Sequence, residues 1–229
     1  MCGRFVSYFD PADLAGVFDA DRLTELPGPS WNIAPTSRIA LVRELVETRP
    51  AAVAPAPADP GPADALATRV ASTDAAPGER GRGHVREIRA ARWGLVPSWA
   101  KDVGIGARLI NARSETVTAK PAFRSAAKSR RALIPAAGYY EWQAGGQGPK
   151  TPFFLHPEDE GLVALAALYE GWRPPGLAPT PSGDPEVLVS AAIVTRAATD
   201  RLGAIHDRMP LIVPPDLWEP WLSPDLNTP

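Results

Sequence analysis

The sequence predicts an α+β domain built on antiparallel strands. Its apolar segments recur as short strand-like runs over 92–96, 108–111, 132–142, 152–155, 162–169 and 187–194. No internal repeat and no sustained alternation of strand and helix patterns is present, as a doubly wound parallel sheet would require. With 229 residues and 45% hydrophobic content, the chain can bury one sizeable core.

Taken in order, Asp10-Pro11 reads as an N-cap and first helical position, opening a short helix to about Phe18. Trp31 to Thr36 is turn-like. Arg38 to Val46, rich in Ile, Leu and Val, is a strand. Residues 48–86 are dominated by Ala, Pro, Gly and Asp without apolar periodicity, and are expected to be a flexible insertion interrupting a single 1–229 domain. His84 at its edge is therefore a poor candidate for chemistry. Ser114 to Arg131 has helical spacing in two pieces, broken at Lys120-Pro121. Residues 173–185 read as a hairpin loop, Thr199 to Ile205 as a short helix, Leu211 to Val213 as a strand and Asp216 to Leu222 as a final helix.

Composition narrows the function classes. No apolar run approaches the ~18 residues of a membrane span. The start lacks the basic-then-apolar pattern of a secretory signal, so a cytoplasmic protein is expected. One cysteine rules out an internal disulfide, and three histidines make a zinc cluster a poor expectation. The net charge of −2 conceals an asymmetry: Arg92 to Arg131 carries nine basic residues and two acids, net +7, leaving −9 for the rest. Such a block suits a phosphate-tracking groove, or else one solvated helix face.

The lone cysteine is Cys2, so removal of Met1 would leave a thiol and a free α-amine on adjacent carbons. Such a 1,2-aminothiol condenses with an aldehyde to an imine and then closes a thiazolidine ring. Alternatively, the amine acts as base for its own thiol. A model-peptide α-amine titrates at about 8, so part of it is unprotonated at cellular pH. Arg4 would favour the thiolate weakly. The plain alternative is a frayed chain end.

Four further segments carry polar groups that apolar packing does not explain. Trp93 and Trp99 flank a Gly and a Pro beside basic residues, as base-stacking platforms do, although tryptophans are more often core. Asn111-Ala112-Arg113-Ser114 offers an amide that can orient a neighbour and a guanidinium that can grip a phosphate; the alternative is a simple strand-to-helix cap. Glu141 lies among aromatics, where a carboxylate is either paired or turned to acid/base work. His206, flanked by Asp207 and Arg208, is the best-placed histidine, since His156 sits near a strand end.

Together these segments resemble the SOS-response-associated peptidase (SRAP) family. The matching pieces are MCGRF at 1–5, NIAPT at 32–36, RWGLVPSWAKD at 92–102 and NARSET at 111–116. They continue with LIPAAGYYEW at 133–142, PFF at 152–154, LYEGW at 168–172 and HDRMP at 206–210. The resemblance implies a β-rich, barrel-like antiparallel core with peripheral helices and a positively charged cleft. It implies a role in the DNA damage (SOS) response, with binding to abasic sites in single-stranded DNA, especially at single-strand/double-strand junctions. It also implies a covalent thiazolidine crosslink through the mature Cys2, with self-removal of Met1 and abasic-site lyase chemistry as further activities and general proteolysis disfavoured. By motif, Asn111 would position Cys2, Glu141 would transfer protons during imine formation and ring closure, and His206 would serve the sugar-oxygen proton. Arg4, Pro35, Trp93, Arg113 and Thr195 would contact DNA. No metal or organic cofactor is needed, because an aldehyde is already electrophilic, and a monomer is expected.

Two rivals come from other classes. Class II glutamine amidotransferases also begin Met-Cys-Gly, but here Arg4-Phe5 follows and the remaining motifs do not keep that family's order. A non-covalent single-stranded DNA-binding module, with Cys2 idle, would bind intact and abasic strands alike.

Overall fold

The computed structural model describes residues 2–46, 83–143, 148–176 and 187–226. The first half contains β1 (Arg4–Ser7), α1 (Pro11–Val17), β2 (Arg22–Leu23), β3 (Ser30–Ile33), β4 (Arg38–Val46), β5 (His84–Trp93) and β6 (Asn111–Arg113). After it come α2 (Arg124–Ser129), β7 (Arg131–Ala136), β8 (Gly138–Gln143), β9 (Thr151–Leu155), β10 (Val163–Trp172), β11 (Leu188–Ala197), β12 (Arg208–Pro210) and α3 (Trp218–Leu222). Short 3-10 turns cover Val103–Arg108, Asp200–Ala204 and Pro215–Leu217.

The antiparallel α+β expectation holds, and the larger sheet closes on itself. Antiparallel pairing runs β11-β10-β7-β4-β5, and β5 then meets β11 in parallel through Ser190↔Arg92 and Ala191↔Trp93. Closure of this kind removes exposed strand edges. Because successive strand side chains point to opposite faces, the apolar residues divide in two. Ile39, Leu41, Trp93, Ile134, Leu165 and Ile193 pack together inside the ring. Val42, Ile88, Leu133, Leu168 and Val194 lie outside, under Leu14 and Phe18 near α1, Ala126 of α2 and Leu222 of α3.

A four-stranded sheet, ordered β3-β1-β8-β9, caps one end of the ring. Its Phe5, Ile33 and Tyr139 join the interior cluster. The chain steps from ring to cap across the single residue Ala137, whose amide donates to the Val6 carbonyl at 2.8 Å.

Local chemistry explains most boundaries. Asp10 caps α1 by accepting from the Ala12 amide at 2.8 Å, with Pro11 at its first position. The strand over Arg38–Val46 matches its expected bounds. Trp31 and Asn32 belong to β3 rather than to a turn; the reversal follows at Pro35-Thr36, where Thr36 has φ 72°. The Thr36 amide there donates to the Trp93 carbonyl at 2.8 Å, and the Trp93 amide donates to Ser37 at 2.9 Å. The expected two-piece helix over Ser114 to Arg131 reduces to α2, with turns before it. The Ser114 amide is drawn to the Thr195 carbonyl at 2.8 Å, and the run Thr116-Val117-Thr118 is β-branched and resists a helix. The strand expected at Leu211 to Val213 is instead β12, with Ile212 making only an isolated bridge to Leu165.

Of the expected insertion, residues 48–82 lie outside the described residues, and 84–86 open β5. Most of the 173–185 loop also lies outside them. Among the described residues no helix is long and apolar enough to cross a membrane, and no cluster of metal-ligating side chains is present.

Candidate active site

Cys2 leads into β1 and is fully buried where the cap meets the ring. Its thiol donates weakly to the Arg4 carbonyl at 4.0 Å. Asn111, the first residue of β6, reaches across 109 positions of sequence to donate from Nδ2 to the Cys2 carbonyl at 2.8 Å. Its Oδ1 is buried without a hydrogen-bond partner among the described residues, an acceptor available to an incoming N–H or O–H. Trp93 fixes both neighbours. Its Nε1 donates to the Ile110 carbonyl at 3.0 Å, and its ring meets Phe5 edge-to-face at 5.1 Å.

Glu141 sits in the middle of β8 on the same face as Tyr139, 3% exposed. Its Oε1 accepts from the Trp142 amide at 3.3 Å and stands 4.0 Å from His206 Nε2. His206 follows the 3-10 turn Asp200–Ala204, and Gln143 at the end of β8 holds that turn by donating to the Ala204 carbonyl at 2.8 Å. His206 Nδ1 accepts from the Arg208 amide at 3.0 Å, while Asp207 Oδ1 lies 2.8 Å from the same nitrogen. The two contacts ask for opposite proton positions. Asp207 is 81% exposed, so its pull is screened, and the Arg208 amide is the more fixed of the two partners.

Burial pushes the Cys2 thiol up to about 12, with the Glu141 carboxylate adding to the effect. Burial also raises the Tyr139 hydroxyl, and Cys2 and Glu141 contribute there too. Below that value the pocket therefore holds a neutral thiol beside Glu141 and His206. That set can move a proton off sulfur as the sulfur attacks.

A profile of the SOS response associated peptidase (SRAP) family matches residues 1–229. The chain belongs to the SRAP family. Abasic site processing protein YoaM of Bacillus subtilis (strain 168) is 33% identical, over all of this chain and 82% of that protein. Abasic site processing protein YoqW of Bacillus phage SPbeta is 32% identical over all of this chain and 83% of that protein. Abasic site processing protein HMCES of Gallus gallus is 32% identical, over 60% of this chain and 46% of its own length. In three dimensions, a crystal structure of a protein from Bordetella bronchiseptica matches with TM-score 0.65 at 22% identity, covering 100% of this chain and 94% of that one. That likeness shows the fold.

In this SRAP domain Cys2, Asn111, Glu141 and His206 converge from four segments. The other candidate residues are arranged around them. Arg4 donates to Asn32 Oδ1 at 3.0 Å on the exposed side of β1, and Arg113 is exposed at the end of β6. Pro35 is half-buried in the turn that packs on Trp93. Trp93 and Thr195 are fully buried. The Thr195 carbonyl accepts from the Ser114 amide at 2.8 Å and from Arg208 Nη2 at 2.7 Å. His156 is exposed and stacks on Phe154, whereas His84 sits 2.9 Å from Glu44 and 3.2 Å from Asp225.

The basic block also divides. Arg131 is buried and donates to backbone carbonyls including Trp221, Lys128 and Ser223, and Arg130 pairs with Glu170 at 2.8 Å. Lys101, Arg108, Arg113, Lys120, Arg124 and Lys128 face solvent.

Sequence reasoning overlooked Tyr139, Gln143 and the Glu115–Arg208 pair, whose two contacts measure 2.6 and 3.0 Å. Tyr139 and Gln143 lie two residues either side of Glu141, so strand alternation puts all three on one face. Nothing local points to Glu115 and Arg208, which are 93 positions apart.

Proposed function

We propose that this SRAP protein captures abasic sites in single-stranded DNA, above all at junctions with duplex, as a covalent thiazolidine adduct on Cys2. The supporting observation is the sole cysteine, at position 2, held through its carbonyl by Asn111 beside Glu141 and His206. Relatives aligned over the whole chain are named for abasic site processing.

The reaction needs Met1 removed, by the protein itself or by another peptidase. His206 passes a proton to and from the sugar ring oxygen, opening the deoxyribose to its aldehyde. The Cys2 amine attacks that carbon, and water leaves as the imine forms. The sulfur then adds to the same carbon, its proton ends on the nitrogen through Glu141, and the five-membered ring closes. The net loss is one water. Asn111 holds the Cys2 backbone so that amine and thiol meet one carbon, which is an effect of orientation. Arg4 and Arg113 take flanking phosphates, while the Pro35 turn, Trp93 and Thr195 shape the floor beneath the strand. Run in reverse, or past the imine to β-elimination, the same groups release the adduct or incise the strand. No cofactor enters, and a cytoplasmic monomer suffices.

The test mixes untagged protein with uracil-excised single-stranded DNA and resolves the products on a denaturing gel. Intact DNA and Cys2→Ala protein run alongside. A heat-stable shifted band restricted to wild-type protein and abasic DNA is expected. Its absence, with Met1 removal verified by mass spectrometry, would refute the covalent reading, as would undiminished crosslinking by an N-terminally tagged chain.

A further inference from the structure

The outer face of the four-stranded cap carries aromatic rings turned to water. Arg4, Tyr140 and Phe154 are register partners across β1, β8 and β9. They therefore share one face, opposite Phe5, Tyr139 and Leu155. On one side of Arg4, Tyr8 stacks on Trp31 at 5.9 Å and 23°; on the other, Tyr140 meets Phe154 at 5.0 Å. Arg4 is tied to β3 through Asn32, and the Tyr140 hydroxyl donates to the Trp31 carbonyl at 3.4 Å. Gly138 lets the Phe154 ring lie down on the sheet: a Cβ there would fall 2.7 Å from the ring atoms.

Trp31 is 63% exposed, Phe154 40% and Tyr8 38%. Contiguous rings left in water at such exposures mark a contact surface rather than unfinished packing. Their partner is indicated by the cation set between two ring pairs, an alternation that suits bases on the rings and a phosphate on the guanidinium. The face also adjoins the reactive centre along the chain, since Arg4 is two residues from Cys2.

We propose that this face is a stacking platform for the bases flanking the reacting nucleotide, so that the single strand leaves the Cys2 pocket across Arg4 between the two ring pairs. The proposal rests on the reading of the Cys2 pocket as a DNA site, and it extends the contact set to Tyr8, Trp31, Tyr140 and Phe154.

The test measures equilibrium binding of the full chain by fluorescence anisotropy. One probe is a labelled single strand with ordinary bases; the second has the same length but base-free tetrahydrofuran flanks. Wild type is compared with Trp31→Ala and with Phe154→Leu, which keeps apolar cover over Gly138 but loses the π face. Circular dichroism and thermal midpoints confirm folding. Each substitution should weaken binding of the base-bearing strand about five- to tenfold, the loss of roughly one stacked base, and leave the base-free probe unchanged. Unchanged affinity for the base-bearing strand would overturn the platform, as would equal losses on both probes. So would a shift in sedimentation without any effect on DNA, which would make a second copy of the chain the occupant. The covalent band at saturating abasic DNA is read separately. A base-dependent loss supports the platform whether or not that band forms, and a band without base dependence leaves the covalent chemistry standing alone.

Discussion

Among the described residues two buried glutamates face histidines, and they do different things. Glu44 and Glu141 are each 3% exposed. Glu44 has His84 at 2.9 Å on one oxygen and the Arg86 guanidinium at 3.1 Å on the other, and Arg86 also donates to the Phe18 carbonyl at 3.0 Å. That is a closed ion-pair network, tying the β4–β5 hairpin to the end of α1 and, through His84 and Asp225, to the C-terminal segment. Glu141 stands 4.0 Å from His206, beyond a direct hydrogen bond, with the Cys2 thiol in its field. A guanidinium at contact distance locks the Glu44 carboxylate, whereas Glu141 shares its surroundings with a thiol and an imidazole.

Matched substitutions would break this contrast most directly. Glu141→Gln should slow adduct formation on abasic DNA by about 10²–10⁴-fold, the range for losing a general acid/base, and barely move the thermal midpoint. Glu44→Gln should do the opposite, costing about 3 kcal/mol by leaving Arg86 buried without its counter-charge while the adduct rate stays near wild type. Both proteins are measured in both assays. If Glu141→Gln destabilises as much as Glu44→Gln, Glu141 is structural.

Thiol reactivity sharpens the same contrast. A thiol moved from 9.0 to about 12 carries on the order of a thousandfold less thiolate at a given pH below both values. In folded protein that retains Met1, alkylation of Cys2 by iodoacetamide at pH 8 should therefore run at least about a hundredfold slower than in denaturant, since the thiolate is the nucleophile. Comparable rates would mean that Cys2 is neither buried nor raised. The sign for stability follows. A group raised in the fold stabilises fully below its unfolded value near 9 and loses that contribution as pH rises through about 12. Cys2→Ala should accordingly flatten the alkaline limb of the stability curve.

Much of this was legible in the chain. The strand over Arg38–Val46 and the capped helix at Asp10-Pro11 follow from periodicity and capping alone, and those signals are local. Asn111, Glu141 and His206 were legible as unusual residues in context, and the structure draws them toward Cys2. The two glutamate sites were not separable in sequence. Glu44 lies in a strand rich in Ile, Leu and Val, and His84 falls at the edge of the insertion because composition gives no sign of where β5 begins. Trp93 reads in sequence as a stacking surface or, as tryptophans more often are, a core residue; it is core, because ring closure puts it between Phe5 and Ile110. Closure depends on the parallel β5–β11 contact, roughly a hundred positions apart, and no periodicity encodes that.

Trp93 offers a smaller test of how the reactive side of the contrast is held. Trp93→Phe keeps the ring against Phe5 but removes the donor to the Ile110 carbonyl, which should cost about 1–3 kcal/mol. Because Ile110 precedes Asn111, adduct formation should slow with little change in DNA affinity. Equal loss in rate and affinity would make Trp93 a DNA contact instead.

The smallest effect is expected at a third glutamate, intermediate between the other two. Glu115 is half exposed and grips Arg208 with both oxygens, at 2.6 and 3.0 Å. Hydrogen bonds from Arg208 hold its carboxyl down at about 2, against an ordinary 4.5. Since the value is depressed in the fold, this contribution to stability is complete above the unfolded value and disappears as pH falls through about 2. Glu115→Gln should therefore shift the thermal midpoint slightly at pH 7 and lessen the dependence of stability on pH between about 4.5 and 2, as followed by thermal melts across that range. Arg208 also carries the amide that holds His206 Nδ1, so the substitution should slow adduct formation modestly, by far less than Glu141→Gln does. A loss as large as that of Glu141→Gln would move Glu115 from the support of the site into its chemistry. No change in either assay would mean that the Thr195 carbonyl alone suffices to hold Arg208, and that an exposed ion pair beside a reactive pocket contributes as little as exposed pairs elsewhere.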